Sequence, residues 1–408
     1  ATVDTIYDVA SLTKVVATTP ALMKLVETGR VRLDDPVTAY LPEFQGGTSD
    51  ITVRDLMIHF SGLRPDLDLE PVWSGYETGI KKALADKPAD PRGAKFVYSD
   101  INFELLGEIV RRVSGKPLDE FVQEQIYRPL GMKDTTFRPP AAWVNRIAPT
   151  EIDATTGKPL RGVVHDPTAR YMGGVAGHAG VFSTADDLAI YAQMLLDMGR
   201  RGNTRIFAPA TVERFTSRAT PANQPVERGL GWDIDSPYSS NRGEIWVGGY
   251  GHTGFTGPAM WIHPASQSFV IIMANRNHPK GGRSINSWRS KVASTVAAAL
   301  SAEGTAPRAQ VFTGLDVLAR QNFDVLKGKR VGLITNQTGV DRQGRRNIDL
   351  MRAAGVNLVT LFAPEHGIAG AVDTNDIADD VDKPTGLPVR SLYGNGRTRV
   401  TSGMFKEL

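Results

Sequence analysis

The chain has 408 residues, 41% of them hydrophobic and 22% charged, with a formal net charge of +3 and no cysteine. Nearly balanced charge without a basic run gives no electrostatic footprint for nucleic acid, and the absence of cysteine excludes disulfides, thiolate metal sites and a cysteine nucleophile together. No apolar run has the length of a membrane span and no secretory signal is read, so an integral membrane segment is not expected, and the length favours more than one domain.

The first predicted helix is "SLTKVVATTPALMKLVETG", with Leu12, Val15, Val16, Leu22, Met23, Leu25 and Val26 apolar and Gly29 as its stop. Pro20 is expected to kink or divide it. Ser11 and Lys14 stand at i and i+3 on one face, among apolar neighbours. A lysine in such surroundings loses hydration, which lowers its pKa and lets it act as a base. The simpler reading is a capping serine and a snorkelling lysine, and the four residues alone favour it.

Downstream, "ITVRDLMIHFSG" reads as a short helix ending at Gly62. "SDINFELLGEIVRRVSG" reads as a longer one, capped at Ser99 or Asp100, with Phe103, Leu106, Ile109, Val110 and Val113 inward and Gly115 at its end. "STADDLAIYAQMLLDMG" opens on the pattern of a capping box. Near residue 246 the period becomes that of strands: "TGPAMWIHP", the turn "ASQ" and "SFVIIMANR" predict a β-hairpin, followed by the helix "SINSWRSKVASTVAAALSA". Helices first and strands late predict an α+β domain on an antiparallel sheet.

"SAEGTAPRAQ" reads as a linker. Beyond it, "KRVGLITN" predicts a buried strand, "RRNIDLMRAAG" a helix, "VNLVTLFA" a second strand and "LPVRSLYG" a third, the alternation of an α/β unit with a parallel sheet. The expected organisation is a domain over residues 1–302, a linker over 303–312 and a partial, Rossmann-like α/β domain over 313–408.

A nucleophilic serine needs a proton acceptor and an oxyanion site. "FVYSDINF" supplies Tyr98 in a loop two residues before Asp100, and "GGYGHTGFTGP" supplies His252, Thr253 and Gly254 at the hairpin start. Ser11-x-x-Lys14, Tyr98-x-Asp100 and His252-Thr253-Gly254, in this order, resemble the serine β-lactamase and penicillin-binding protein superfamily. "GRVRLDDPVTAYLPEF" and "ITVRDLMIHFSGL" resemble its class C and esterase branch, and the likeness runs from residue 4 to about residue 300.

The resemblance implies a β-lactamase-like fold in which Ser11 forms the acyl-enzyme and Lys14 and Tyr98 share the proton. It also implies an oxyanion hole of the Ser11 and Phe255 N–H groups, with Thr253 and Gly254 lining the substrate strand. Two positions depart from the pattern. His252 stands where many relatives have lysine, which weakens the fixed positive charge. Asp100 replaces the usual asparagine, an acceptor where an amide donor is expected. Both argue against an efficient β-lactamase.

"GVVHDPTARYMGGVAGHAGVFSTADDLA" resembles N-acetylmuramyl-L-alanine amidase-like members. His165, Asp166 and His178 within it look like metal ligands, but their spacing matches no zinc signature, so no metal or cofactor is expected. His59, His263 and His278 read as structural or surface residues.

In the second unit Asn336 and Glu365-His366 follow two strands, and ligands of an open α/β sheet bind beyond such carboxyl ends. A glutamate there suits work on a glycosidic bond or caps the next helix. "GLITNQTGVD", "LFAPEHGIAG" and "TGLPVRSLYG" resemble the opening part of the exo-β-N-acetylmuramidase family. That implies Glu365 as catalytic candidate with His366 and Asn336 beside it, and partner groups beyond Leu408, so glycosidase activity of this chain is not expected.

Both resemblances converge on peptidoglycan turnover, and the first implies an amidase on peptidoglycan fragments, in a bacterial protein exported to the periplasm or beyond. The same nucleophile would serve an esterase, a D,D-peptidase or a weak β-lactamase. A non-catalytic muropeptide-binding or sensor module is the reading of another class, and an intact Ser11, Lys14 and Tyr98 set argues against it.

Overall fold

A computed structural model describes residues 1–46, 50–243, 248–282, 284–302, 313–341, 343–364, 367–370, 377–392 and 402–405. The chain divides into two compact units, Ala1–Ala309 and Gln310–Leu408.

In the first unit the late strands form a five-stranded antiparallel sheet in the order Ser268–Ile272, Ala259–His263, Tyr250–Thr253, Asp233–Asp235, Glu227–Arg228. The expected hairpin is there, His263 opposite Ser268 and Ala259 opposite Ile272. Its period-two pattern separates two apolar faces. Met260 and Ile262 join the main core, while Ala259, Trp261, Val270 and Ile272 pack on Ala293 and Ala297 of the helix Asn286–Ala302. A smaller sheet places Val181–Ser183 between Tyr7–Asp8 and Thr136–Phe137, antiparallel to both. The α+β class is as expected.

The first helix is not one element. Ser11 lies in a 3₁₀ turn, Ala10–Leu12, Lys14–Thr18 forms a π turn, and regular α-helix runs only over Thr19–Glu27. Pro20 has no N–H and its ring crowds the carbonyl four residues back, and the wider π turn makes room for it. Gly29, at φ 71°, follows the helix end. The helix Val53–Ile58 stops earlier than Gly62, because His59 turns left-handed at φ 62° and its ring points into the core. Ser99 caps the helix Asp100–Ser114, accepting from the Asn102 N–H at 3.4 Å, and Gly115 ends it. At Ala185–Leu196 only half the capping box forms. Thr184 accepts from the Asp187 N–H, but the Asp187 carboxylate turns to the Asp134 N–H and the Thr135 hydroxyl.

The second unit has a four-stranded sheet in the order Arg330–Ile334, Asn357–Ala363, Leu387–Ser391, Asp380–Asp382. The first three are parallel neighbours, and the fourth runs antiparallel. Three strands were expected; the acidic three-residue strand carries no apolar run to announce it. Arg330–Ile334 is also not buried: it is a sheet edge, and Ile334 is 60% exposed. Leu358 and Leu361 of the central strand pack with Ile348, Met351 and Val389.

One close approach positions the site. The glycine-rich stretch "GGVAGHAG", residues 173–180, crosses the helix Asp100–Ser114 at Gly177. A Cβ there would stand 1.8 Å from the Phe103 carbonyl oxygen, and one on Gly107 would stand 3.1 Å from the Gly177 Cα. Thr18 Oγ1 also donates to the Gly177 carbonyl at 2.6 Å, pinning the loop to the π turn. Gly177→Ala must push the loop off the helix, and it should destabilise the first unit by about 1–3 kcal/mol or more. Urea denaturation followed by tryptophan fluorescence measures this, and an unchanged midpoint would show that the loop yields freely.

Candidate active site

The turn that carries Ser11 is strained and braced. Ala10, the residue before Ser11, has φ 45°, which a side-chain-bearing residue adopts only when its surroundings hold it there. The Ala10 N–H donates to Asp8 Oδ1 at 2.8 Å, and the His165 N–H donates to Asp8 Oδ2 at 2.7 Å. The hairpin closes on the same turn: Thr256 Oγ1 donates to the Asp8 carbonyl at 2.8 Å. A Cβ on Gly254 would stand 2.4 Å from the Val9 carbonyl oxygen, so only glycine lets this strand end lie against the turn.

Lys14 is fully buried, and its ammonium donates to Ser11 Oγ at 3.1 Å and to the His178 carbonyl at 3.1 Å. It also lies 2.6 Å from Asp100 Oδ1 and 5.0 Å from the centroid of the Tyr98 ring. Burial pulls the lysine pKa down, but the Asp100 carboxylate and Tyr98 outweigh it and hold Lys14 above its ordinary value. This corrects the expectation of a lysine made basic by desolvation. The apolar shell is present, and the carboxylate beside it decides the charge.

Tyr98 packs face to face on His59 at 4.6 Å between ring centroids. The His59 Nδ1 accepts from the Ser99 N–H at 3.1 Å, and burial keeps the ring neutral. His59 therefore fixes the loop that carries Tyr98, a role no sequence pattern announced. His252 is buried, with Nδ1 2.8 Å from the Thr253 carbonyl oxygen. Burial and the charges of Arg228 and Lys14 hold it well below the usual histidine range. It brings no positive charge to the site at neutral pH.

Ser11, Tyr98, Asp100, His252, Thr253, Gly254 and Phe255 all line one cleft of about 410 Å³, together with Asp166, Arg228 and Arg276. The structure brings this set together, with Lys14 behind it. The Phe255 ring is 60% exposed at the cleft mouth, under the Arg276 guanidinium at 4.3 Å.

Behind Lys14 lies a group of charges that the sequence order scatters. His178 is buried between Asp166, whose Oδ1 is 2.9 Å from Nε2, and Glu104, whose Oε1 is 3.5 Å from Nδ1. Burial pushes the Glu104 carboxyl up to about 8, and Asp66 up to about 6. His165 does not join them, standing 3.1 Å from both Glu151 and Asn277. Among the described residues, Asp100, Asp166 and His178 are the set whose ligand atoms converge as a metal site requires. His263 bonds Ser266 and His278 bonds the Thr150 carbonyl, both structural contacts.

In the second unit Glu365 and His366 lie outside the described residues. Asn336 follows the edge strand, and its side-chain oxygen accepts from the Thr338 N–H at 3.0 Å and hydroxyl at 2.7 Å.

Residues 1–294 match the Beta-lactamase family, and residues 331–408 match the family described as Exo-beta-N-acetylmuramidase NamZ, N-terminal. A protein of Escherichia coli (strain K12) named "Putative D-alanyl-D-alanine carboxypeptidase" is 34% identical over 311 residues, covering 68% of this chain and 70% of that one. A protein of the same name from Salmonella agona (strain SL483) is 33% identical over 309 residues, covering 68% of this chain and 71% of that one. Among solved structures, a penicillin-binding protein homologue from Caulobacter crescentus aligns with a TM-score of 0.57 at 23% identity, over 72% of this chain and 84% of that one. A class C β-lactamase from Rhodobacter sphaeroides gives 0.55 at 22%, over 74% and 86%. At these identities the structures share the fold.

The brace under Ala10 makes a pH prediction. Burial pushes the Asp8 carboxyl up to about 6, against the hydrogen bonds from His165 and Ala10, which lower it. Unfolded, it releases its proton near pH 4, so between these values the folded chain binds the proton more tightly. Stability from this group is complete below pH 4, falls as pH rises to about 6, and is level above. Between pH 4 and pH 7 the advantage of the native chain over Asp8→Asn should shrink by roughly 2–3 kcal/mol. Urea denaturation of both chains at the two pH values reads the difference, and a constant gap would remove Asp8 as the titrating brace.

Proposed function

The chain belongs to the β-lactamase family and is a serine hydrolase, and from that premise we propose that it is an amidase acting on peptidoglycan fragments through an acyl-enzyme. The observation that carries the chemistry is the Lys14 ammonium 3.1 Å from Ser11 Oγ at the wall of an open cleft. In this reading Ser11 attacks the amide carbonyl and Tyr98, acting as the phenolate that the Lys14 ammonium favours, takes its proton. The N–H groups of Ser11 and Phe255 receive the oxyanion, and Tyr98 returns the proton to the leaving amine. Water then releases the acid by the reverse route.

The substrate class is supported by the match of residues 331–408 to an exo-β-N-acetylmuramidase domain. A chain that carries part of a muramic-acid enzyme beside a serine hydrolase fits muropeptides, whose lactyl-peptide amide is then the bond cut. The second reading is a D,D-carboxypeptidase, supported by the name of the relatives in Escherichia coli and Salmonella.

Incubation with N-acetylmuramyl peptides and mass spectrometry separates these. Release of N-acetylmuramic acid and intact peptide is expected, and loss of only a terminal D-alanine would replace the amidase reading with the second. Ser11→Ala should abolish turnover and the acyl adduct of a fluorophosphonate probe while the chain stays folded. An adduct that survives the substitution would sink the nucleophile assignment.

Because neutral His252 lacks a permanent charge, nitrocefin hydrolysis should be slow or absent. His252→Lys should speed acylation by penicillin, read as the rate of adduct formation. Rapid nitrocefin turnover by the unaltered chain would contradict this.

A further inference from the structure

We propose that Asp100, Asp166 and His178 bind a divalent transition-metal ion, zinc in first place, at the floor of the serine cleft. Each residue offers one ligand atom, and the three atoms lie within 4.8 Å of one another. Side-chain rotation closes that span onto one ion with bonds of about 2.0–2.2 Å. One imidazole and two carboxylates suit zinc and its neighbours better than magnesium or calcium, which take oxygen ligands. Asp100 and Asp166 both line the cleft, so the remaining coordination positions face the space that substrate enters.

A second observation comes from behind the histidine. Glu104 is fully buried, and among the described residues neither of its carboxyl oxygens receives a hydrogen bond, nor does His178 Nδ1 make one. One turn further along the same helix, Glu108 is equally buried but is held by Arg111, Arg112 and Tyr76. Leaving a buried carboxyl group without a hydrogen-bond partner is costly, so Glu104 calls for an explanation that Glu108 does not. A histidine that holds a metal through one nitrogen donates its other N–H to a carboxylate or carbonyl. Glu104 Oε1, 3.5 Å from Nδ1, stands where that acceptor belongs, while Nε2 faces Asp166 at 2.9 Å.

Binding is written as an exchange. The ion takes the Nε2 lone pair of His178, any proton there leaves to solvent, and the ring N–H on Nδ1 donates to Glu104. Asp100, 2.6 Å from the Lys14 ammonium, keeps one carboxylate oxygen on that lysine and turns the other to the ion.

The test uses the full 408-residue chain, freed of metal by a chelator and dialysed. Calorimetric titration with zinc chloride should show one equivalent bound, and cobalt chloride should give a visible absorption band of low-symmetry Co(II). Asp100→Asn and Asp166→Asn should each lower zinc affinity at least tenfold with an unchanged circular dichroism spectrum, asparagine being as good a helix cap as aspartate at position 166. Glu104→Gln should keep one equivalent but weaken it by about 10–100-fold. Absence of stoichiometric zinc binding by the folded chain would overturn the proposal. So would binding that both asparagine variants leave intact, which puts the ion elsewhere. The measurements read binding without turnover, so they stand apart from the choice of substrate.

Discussion

The buried ion pair between Lys14 and Asp100 is the contact around which the site is arranged. A lysine with no exposure, deep among Leu12, Val15 and Val16, keeps its charge only because a carboxylate lies 2.6 Å away. Such a pair adds little net stability, since desolvation offsets most of the attraction, but removing one partner strands the other at a cost of about 3–5 kcal/mol. Three elements must therefore stay in place together: the π turn that carries Lys14, the Ser99 cap that starts the helix at Asp100, and the loop whose carbonyl at His178 takes the third lysine bond. The Ser11 hydroxyl, Tyr98 and the hairpin end are arranged on the outer side of that pair.

Backbone proximity supplies the tolerance this arrangement needs. Gly254 lets the hairpin end rest on the Val9 carbonyl, and Gly177 lets the histidine loop rest on the helix of Asp100. Both are contacts between backbones rather than between side chains, so neither strand end nor loop can drift by a rotamer change. The strained Ala10 is held by the same logic, through Asp8 and its two backbone donors. Rigid backbone is what a preorganised oxyanion site requires, because its donors must already point at the place where charge develops.

The second unit is built on a different plan, a mainly parallel sheet whose first two strands end on the same side. There Asn336 folds back on its own turn through Thr338. The carboxyl ends of these parallel strands are where a ligand of such a sheet binds.

Much of this was legible in the residues. Apolar period, Ser99 and Gly115 delimited the helix that carries Asp100, and the strand period of "AMWIH" and "SFVII" located the hairpin. Ser11, Lys14, Tyr98 and His252-Thr253-Gly254 were recognisable because such chemistry depends on short local spacings, which a sequence records directly. The charge state of Lys14 was not, since it depends on Asp100, 86 positions away, rather than on its own apolar neighbours. Likewise the spacing of His165, Asp166 and His178 says nothing of Asp100 and Glu104, which only the fold brings to His178 and Asp166 from a helix more than 60 residues earlier. Local hydrogen bonding and periodicity are written along the chain and set the elements. The electrostatics of a buried group are set by whatever lies within a few ångströms, and that is decided only when the elements pack.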